Sequence, residues 1–248
     1  MSLPTLSVIL ITRNEAGRLR ATLEAVAWAD EIIVVDSGST DGTVEIAREF
    51  TDKMIVTEDW PGFGPQKNRA LDLATGDWVL SIDADERVTP ALADEIRATL
   101  AAPRADVYAL PRLSSFLGRP MRHGGWWPDP IPRLFRRGTA HFSDDPVHER
   151  LVFTGKPLRL CTPLEHDSIR DLEQMMDKMN RYTTAGAGRM AKAGRRGSLG
   201  GAIGHGMWAF IRVYLLKRGF MDGAEGFIMA VSSAESAYYK QLKRMYQP

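Results

Sequence analysis

Two aspartates separated by one residue, Asp83 and Asp85, are the side chains of this 248-residue chain whose spacing most directly suggests chemistry. They follow the apolar run Trp78 to Ile82, which is typical of a buried strand. Two carboxylates at this spacing can both turn toward one cation, and hard oxygen ligands suit Mg²⁺ or Mn²⁺, which also bind phosphates. A solvent-exposed acidic loop is the alternative, but a position at a strand end favours a metal and phosphate site.

A further carboxylate, Asp36, also ends an apolar strand, Glu31 to Val35. A carboxylate at this place can accept hydrogen bonds from a ribose hydroxyl or a base N–H. The nearby Asp41 is better explained as a residue of a turn and helix start. Another polar cluster, Thr12 to Glu15, follows the strand Leu6 to Ile11. Three polar clusters thus fall at predicted strand ends.

These strands alternate with helices over about the first hundred residues. We predict further elements at 43–50 (helix), 53–57 (strand), 66–74 (helix) and 90–100 (helix), and an early helix with Leu19, Leu23 and Val26 on one face. Such alternation predicts an α/β fold with a mostly parallel sheet, in which ligands bind beyond the carboxyl ends of the strands. The three polar clusters lie at that edge.

A lysine, Lys67, follows the Gly62-Phe63-Gly64 loop at a predicted helix start, beside Gln66. It could reach a phosphate or a base edge, although a solvated lysine is the alternative. The first strand is followed neither by Gly-x-Gly-x-x-Gly nor by a Gly-Lys-Ser loop. This argues against a dinucleotide enzyme and against a P-loop phosphotransferase.

Composition excludes several other classes. Hydrophobic residues make up 44% and charged residues 25%, and the formal net charge of +1 does not suggest a nucleic-acid binder. A single cysteine, Cys161, excludes an intrachain disulfide, and we expect it to be a small core residue. With neither a basic leader nor an apolar run of about 20 residues, we expect a cytoplasmic protein, peripheral at most to the inner face of the membrane.

Composition changes along the chain and predicts two parts. Residues 1–168 form the predicted main domain, with a change of composition that divides it into 1–104 and 105–168, and residues 169–248 form a helical C-terminal region. We expect Gly186 to Gly201 to interrupt these helices.

The C-terminal region carries a basic and apolar pattern. A cluster of Arg189, Lys192, Arg195 and Arg196 precedes the apolar run Met207 to Leu216. The pattern suits helices that lie on an anionic membrane or bind a phosphorylated glycolipid. An ordinary helical cap or a homodimer surface is the alternative.

Four segments resemble the family 2 glycosyltransferases of the GT-A fold: Ser7 to Glu15, Val35 to Thr43, Gln66 to Ala70 and Ser81 to Glu86. Later segments, Val147 to Arg150 and the region of His166, are similar to the subgroup that adds a hexose to the inner core of lipopolysaccharide. The first resemblance covers about residues 5 to 100 with specific motifs. The second resemblance covers nearly the whole chain but depends on less specific patterns.

The resemblance implies a Rossmann-like sheet flanked by helices and inverting transfer from a nucleotide diphosphate sugar, with Mg²⁺ or Mn²⁺. Thr12, Asn14, Glu15 and Asp36 would hold the nucleoside, Asp83 would face the ribose or base, and Asp85 and His166 would bind the metal. The implied donor-binding residues are Thr12, Arg13, Asn14, Glu15, Asp36, Gln66, Lys67, Asp83, Ala84, Asp85 and Trp127. Trp127 follows a glycine pair and could stack on the sugar or belong to the core.

Inversion needs a general base on the side of the sugar opposite the diphosphate. Family members often place an acidic pair there, whereas this chain reads Asp144-Asp145-Pro146-Val147-His148-Glu149. The subgroup pattern favours Glu149, with Asp145 second and His148 third; the alternative is that Glu149 only orders a loop. Arg133, Arg136 and Arg137 could meet phosphates or line a solvated strand edge.

The leading hypothesis is a hexosyltransferase that moves glucose from UDP-glucose to a lipopolysaccharide core acceptor, a glycolipid. Another glycan, a polyprenyl phosphate or a peptide is the alternative acceptor. A nucleotidyltransferase and a non-catalytic module that binds nucleotide sugars are alternatives of other classes.

Overall fold

The computed structural model describes residues 4–145 and 149–246 and divides the chain into two compact units. Unit 1 comprises Met1–Arg112 and Asp129–His166, and unit 2 comprises Leu113–Pro128 and Asp167–Pro248. The sequence-based boundary at residue 168 stays a prediction. The structure groups the segment Leu113–Pro128 with the C-terminal helices, which composition does not indicate.

The strands and helices have the following bounds. The strands are β1 Leu6–Thr12, β2 Glu31–Asp36, β3 Met54–Val56, β4 Trp78–Ser81, β5 Glu86–Arg87, β6 Val107–Phe116, β7 Arg119–Pro120, β8 Asp129–Arg136, β9 Ala140–Phe142, β10 Leu151–Phe153, β11 Leu158–Arg159 and β12 Leu164–Ile169. The helices are α1 Ala16–Glu24, α2 Thr43–Arg48, α3 Phe63–Asp72, α4 Pro90–Ala101, α5 Leu172–Lys192, α6 Leu199–Ile211 and α7 Gly223–Tyr246. A π-helical turn, Arg212–Leu216, continues α6, and a 3₁₀ turn, Gly219–Asp222, precedes α7.

The sheet of unit 1 runs in the order β3-β2-β1-β4-β8-β6. Its first four strands are parallel, whereas β8 pairs antiparallel with both β4 and β6. Thr12 of β1 lies opposite Asp36 of β2, and Ile9 of β1 lies opposite Ser81 of β4. The predicted α/β fold with a mostly parallel sheet flanked by helices is confirmed.

Helices cover both faces of this sheet because its strands are apolar on both sides. Along β1, Val8 and Leu10 belong to one core cluster, which also contains residues of α1, α2 and α4. The intervening Ile9 belongs to a second cluster, to which α3 contributes Ala70. Successive strand residues point to opposite faces, so an unbroken apolar run fills both layers.

The structure corrects three sequence-based expectations. α3 begins at Phe63 rather than Gln66, after Gly62 with its φ of +118°. α5 continues through Gly186 and ends at Lys192. A Cβ at Gly186 would meet the Lys240 side chain, so the glycine lets α5 pack closely against that side chain. Cys161 is exposed rather than in the core. Leu160 and Leu164 take the buried positions there.

Unit 2 has its own core and contains α5, α6 and α7. Phe116, Met121, Val213, Met229 and Ala230 form the buried cluster of this unit. Within residues 4–145 and 149–246, no helix combines the length with the apolar character that crossing a membrane requires.

A partly buried carboxylate, Glu31, lies at the amino-terminal edge of the sheet in unit 1. It accepts hydrogen bonds from the Ser7 hydroxyl (2.5 Å) and from the backbone N–H and hydroxyl of Thr75 (both 2.9 Å), and it pairs with Lys53. Burial opposes ionisation of Glu31, but the Lys53 ammonium and these hydrogen bonds outweigh it and lower its pKa to about 2. The folded state therefore favours the charged form.

We expect Glu31→Gln to reduce stability near neutral pH by about 2 kcal/mol, allowing for partial solvent screening. Because the folded-state pKa lies below the unfolded value, this contribution is complete above about pH 4.5 and falls away toward about pH 2. Urea unfolding of both proteins at about pH 7 and about pH 3 measures it. A difference between the two proteins that does not shrink at the lower pH would contradict the proposed pKa.

Candidate active site

The first part of the site lies where β1 and β2 end side by side. The Thr12 hydroxyl donates to Oδ2 of Asp36 (2.9 Å), and the Ser39 backbone N–H donates to Oδ1 (2.7 Å). The Ser39 hydroxyl also donates to Oδ2. Asp36 is fully buried, so its carboxylate fixes the loop after β2 and leaves little of its surface for a ligand.

Asn14 links the loops after β1 and β2. Its φ of +55° lies in the left-handed region, which asparagine tolerates better than most residues. Its N–H donates to the Ser39 hydroxyl (2.7 Å), and its side-chain oxygen accepts from the Thr40 N–H (2.9 Å). The Glu15 N–H donates to the Thr43 hydroxyl (2.8 Å). These hydrogen bonds therefore fix the conformation of the Thr12 to Glu15 segment at the edge of the sheet.

Asp41 has the role at a turn and helix start that the sequence indicates. Its carboxylate accepts from the N–H of Ala16, at the start of α1, and from the N–H and hydroxyl of Thr43, at the start of α2. Anions near helix N-termini are favourable. Asp41 thus orders two helix starts at this edge.

The second part of the site is the turn after β4. The Asp83 N–H donates to the Glu86 carboxylate (3.0 Å), and the Glu86 N–H donates to the Asp83 carbonyl (2.9 Å). One nitrogen of Arg133 on β8, Nη2, lies 2.5 Å from Oδ2 of Asp83 and 2.7 Å from Oε1 of Glu86. The guanidinium therefore joins both carboxylates of the turn.

Burial and neighbouring charges shift the pKa values of Asp83, Glu86 and Arg133 in opposite directions. Burial opposes ionisation of Asp83, but the charges of Arg133 and Lys67 outweigh it and hold its pKa well below the usual range. Burial raises the pKa of Glu86, although Arg133 attracts its charged form. Burial also disfavours the charged guanidinium, but Asp83 and Glu86 outweigh it and raise the pKa of Arg133. Asp83 is thus the carboxylate held ionised.

Lys67 on α3 connects this turn with the loop that precedes β10. Its ammonium lies 3.0 Å from Oδ1 of Asp83 and 3.1 Å from Oε1 of Glu149. Only 5% of its side chain is exposed, which excludes the solvated-lysine alternative. A Cβ at Gly64 would fall 1.8 Å from the Ser143 carbonyl oxygen, so the first turn of α3 rests directly on that loop.

Asp85 and His166 form the third part. The register of β5 and β12 places His166 opposite Glu86. His166 Nε2 lies 3.5 Å from Oδ2 of Asp85, and Nη1 of Arg18 lies 3.4 Å from the same oxygen. Burial opposes ionisation of Asp85, but His166 and Arg18 outweigh it and lower its pKa.

The pair of Asp85 and His166 fits a divalent cation in donor type. A carboxylate oxygen and an imidazole nitrogen are acceptable ligands for Mn²⁺, and Mg²⁺ is commonly bound by one or two carboxylates plus substrate phosphates and water. The described part of the chain holds no cluster of three His, Cys, Asp or Glu side chains arranged for a metal. Two protein ligands would leave the remaining positions to phosphate oxygens and water.

Four other residues of the predicted donor site differ in exposure and in the unit to which they belong. Arg13 is exposed, whereas Gln66 is buried and donates to the hydroxyls of Ser37 (3.0 Å) and Thr57 (2.6 Å). The side chain of Ala84 lies in the core. Trp127 belongs to unit 2, where the Arg122 guanidinium lies 5.6 Å from its ring centroid.

The candidate bases also differ. Glu149 is mostly buried beside Lys67, whereas Asp145 is half exposed, accepts from the Ser143 hydroxyl (3.0 Å) and lies 3.6 Å from Arg150. His148 lies outside the described residues.

The structure resolves the role of the three arginines near β8. Arg133 is buried in the carboxylate group, whereas Arg136 pairs with the exposed Asp106 and Arg137 donates to the Gly76 carbonyl. Arg136 therefore fits the solvated strand edge, and Arg137 is tied to the backbone of unit 1.

Sequence reasoning missed three charged residues of the site, Glu86, Arg18 and Arg112, and it also missed the pairing of Arg133 with Asp83 and Glu86. Arg112 lies 2.6 Å from Asp129 and 3.8 Å from Glu86. The adjacency of Glu86 to Asp83-Ala-Asp85 and the charge of Arg133 within an apolar strand were the available signals. Arg18 and Arg112 are distant in sequence and gave none.

The chain belongs to glycosyl transferase family 2. Residues 7–154 match the model of this family, and this range contains nearly all of the geometry described above. Membership favours the glycosyltransferase hypothesis over a nucleotidyltransferase.

Two relatives are similar over nearly the whole chain. An uncharacterized glycosyltransferase of Rickettsia felis is 31% identical over 96% of this chain and 88% of its own length. The lipopolysaccharide core biosynthesis glycosyltransferase LpsC of Rhizobium meliloti is 30% identical over 98% of this chain and 92% of its own length. The similarity therefore extends into the C-terminal helices.

A solved structure supports the GT-A-type fold. The mannosyltransferase PcManGT from Pyrobaculum calidifontis, solved in complex with GDP-Man and Mn²⁺, aligns with a TM-score of 0.51 over 96% of this chain and 74% of its own. Sequence identity is 17%, so the likeness concerns the fold.

We expect Arg133→Met to reduce stability by about 3–5 kcal/mol, because it leaves two carboxylates without their buried partner. Adding Glu86→Gln to Arg133→Met should restore part of that loss, since the amide needs no countercharge. Urea unfolding of the single and double variants measures the coupling.

Arg136→Met on the same strand is the matched control, with an expected loss below about 1 kcal/mol for an exposed pair. An Arg133→Met protein as stable as this control would show that the buried pairing does not hold the turn.

Proposed function

We propose that this glycosyltransferase is an inverting hexosyltransferase that uses a nucleotide diphosphate sugar and acts on a lipopolysaccharide core acceptor. The observation that carries the proposal is the charged edge at which Asp83 lies between Lys67 and Arg133 and Asp85 lies beside His166. Similarity to LpsC over nearly the full chain supports the acceptor class. UDP-glucose is the donor that the subgroup resemblance implies, and the cytoplasmic face of the membrane is the corresponding place of action.

The nucleoside would bind along the ends of β1 and β2. Thr12, Asn14 and Glu15 line one loop, and Asp36 fixes the other through Ser39. Because Asp36 is fully buried and already hydrogen-bonded, it would contribute by shaping the edge along which a ribose or base binds. Asp83, held ionised, offers a second acceptor for ribose hydroxyls.

The diphosphate would lie near Asp85 and His166. A divalent cation bound there would neutralise the charge that develops on the diphosphate as it leaves. Asp85 is suited to this task because its pKa is lowered and it stays ionised. His166 can contribute an imidazole nitrogen from the neighbouring strand.

Glu149 would act as the general base. Its carboxylate would take the proton of the acceptor hydroxyl while the acceptor oxygen bonds to the anomeric carbon and the bond from that carbon to the diphosphate oxygen breaks. The contact with Lys67 keeps the Glu149 side chain in a fixed position at the donor edge. This single displacement accounts for inversion.

Donor and metal use can be tested together by calorimetric binding of UDP-, GDP- and CMP-sugars with and without Mn²⁺ or Mg²⁺. We expect metal-dependent binding of a UDP-hexose, and we expect Asp85→Ala to reduce transfer at least about a hundredfold without loss of the fold. Asp94→Ala, which removes an exposed carboxylate of α4, is the matched control.

Near-normal turnover of Asp85→Ala would remove the proposed metal role. Failure to bind any nucleotide sugar would overturn the donor site as a whole. A panel of lipopolysaccharide core, other glycan, polyprenyl phosphate and peptide acceptors then separates the acceptor classes.

The base can be tested with Glu149→Gln, whose amide cannot take a proton. We expect kcat to fall by about 10²- to 10⁴-fold with little change in donor KM. Asp145→Asn, on the same loop, should keep kcat within a few-fold. If Glu149→Gln instead raises the donor KM and spares kcat, Glu149 orders the loop; if Asp145→Asn loses kcat, the base is Asp145.

A further inference from the structure

The helix α6 in unit 2 is apolar on two faces, of which residues 4–145 and 149–246 cover only one. Ala202, Gly206 and Ala209 form the buried face. A Cβ at Gly206 would lie 3.3 Å from the Ala234 carbonyl oxygen and 3.5 Å from Cβ of Tyr238, so small residues allow close packing against α7. The covered face is thus made of small side chains.

Phe210 of α6 packs on Phe227 of α7, but the other large apolar side chains of the helix are exposed. We name these the outer face of α6: Leu199, Ile203, Met207, Trp208 and Ile211, continued by Leu215. Ile203 is 49% exposed, Met207 62% and Trp208 55%. A surface helix of a soluble protein normally turns its large apolar residues inward and its polar residues outward, and α6 does the reverse. The outer face therefore needs an apolar partner.

The charged side chains of the 178–221 segment, which contains the outer face, are all basic. Between Asp177 and Asp222 the sequence has no acidic residue. Exposed basic side chains lie before α6, where Arg189, Lys192, Arg195 and Arg196 are found, and after it, at Arg212, Lys217 and Arg218. An apolar face with a cationic margin and an exposed tryptophan is the pattern of a helix that lies in the interface of an anionic bilayer.

Helix length and charge decide between occupants. Even with its π-helical continuation, α6 is shorter than the roughly 30 Å of a bilayer core, and no helix among the described residues is long and apolar enough to cross a membrane. The helix can therefore lie in the surface. A second copy of this chain would bring the same cationic margin against itself, with no carboxylate in the 178–221 segment to offset the repulsion. An anionic lipid surface supplies that offset.

We propose that the outer face of α6, with its basic margin, docks unit 2 in the plane of an anionic phospholipid surface. The docking deepens the proposed function, because a glycolipid acceptor would be met at such a surface. Only this biological interpretation of the docking rests on the proposed function. The docking itself is a property of unit 2.

The test is co-sedimentation of the full chain with vesicles of phosphatidylcholine, with and without phosphatidylglycerol. We expect binding to the anionic vesicles, weakened by salt, and at least about tenfold weaker binding for the double variant Ile203→Gln with Met207→Gln. Arg195→Gln with Arg196→Gln should weaken binding to anionic vesicles as well.

Leu172→Gln with Met176→Gln is the matched control. These residues of α5 have the same spacing and similar exposure, 52% and 57%, but lie among the acidic residues Asp171, Glu173 and Asp177. The control should bind vesicles like the unchanged protein, and melting temperatures of all variants check that the fold is kept.

Absence of vesicle binding, or equal loss in the control, would overturn the proposal. Light scattering that shows a dimer dissociated by Ile203→Gln with Met207→Gln would assign the outer face to a second copy instead. Sugar transfer to a detergent-solubilised acceptor is measured in parallel: transfer without vesicle binding rejects the docking alone, and vesicle binding without transfer rejects the enzymatic proposal alone.

Discussion

The guanidinium of Arg133 between Asp83 and Glu86 is the interaction on which the site depends. Burying a charged group without a partner costs several kcal/mol of desolvation free energy. The attraction between the guanidinium and the carboxylates offsets much of this cost, but only if their geometry is close to ideal. Because Glu86 has no exposed surface, it cannot turn to solvent if the arginine moves. The turn after β4 is therefore fixed, and with it the directions of Asp83 and Asp85.

Helix α3 extends this constraint to the loop that bears Glu149. Gly64 lets the helix rest on the backbone of Ser143, and Asn68 exchanges two hydrogen bonds with the backbone of Phe142. Lys67 then joins Asp83 to Glu149. The helix thus holds the Asp83 carboxylate and the candidate base Glu149 through one buried lysine.

In unit 2, large apolar side chains are found on an exposed helix face. Small residues of α6 pack against α7, while Phe210 is the large residue of α6 that joins the core of the unit and the other large residues of this helix are exposed. A segment of more than forty residues without a carboxylate gives that surface one sign of charge. Apolar area and positive charge together define a surface for an anionic and apolar environment.

The sequence by itself determined the α/β class, the early strands and helices to within a few residues, and the polar clusters at strand ends. These features depend on local patterns: apolar runs, the period of buried positions, and turn residues next to each other in the chain. The candidate site residues Thr12, Asp36, Asp83 and Asp85 were proposed for the same reason, because each ends such a run or lies within three residues after it.

Only the tertiary structure decided which charges meet. Arg133 reaches Asp83 across 50 residues and Lys67 reaches Glu149 across 82, and no local pattern encodes such pairs. It also decided that Cys161 is exposed, that the Asp36 carboxylate accepts hydrogen bonds from the neighbouring loop, and that Ile203, Met207 and Trp208 of α6 face outward. Periodicity shows that a helix has apolar faces, but which face is covered depends on what packs against it, and that is settled only by long-range contacts.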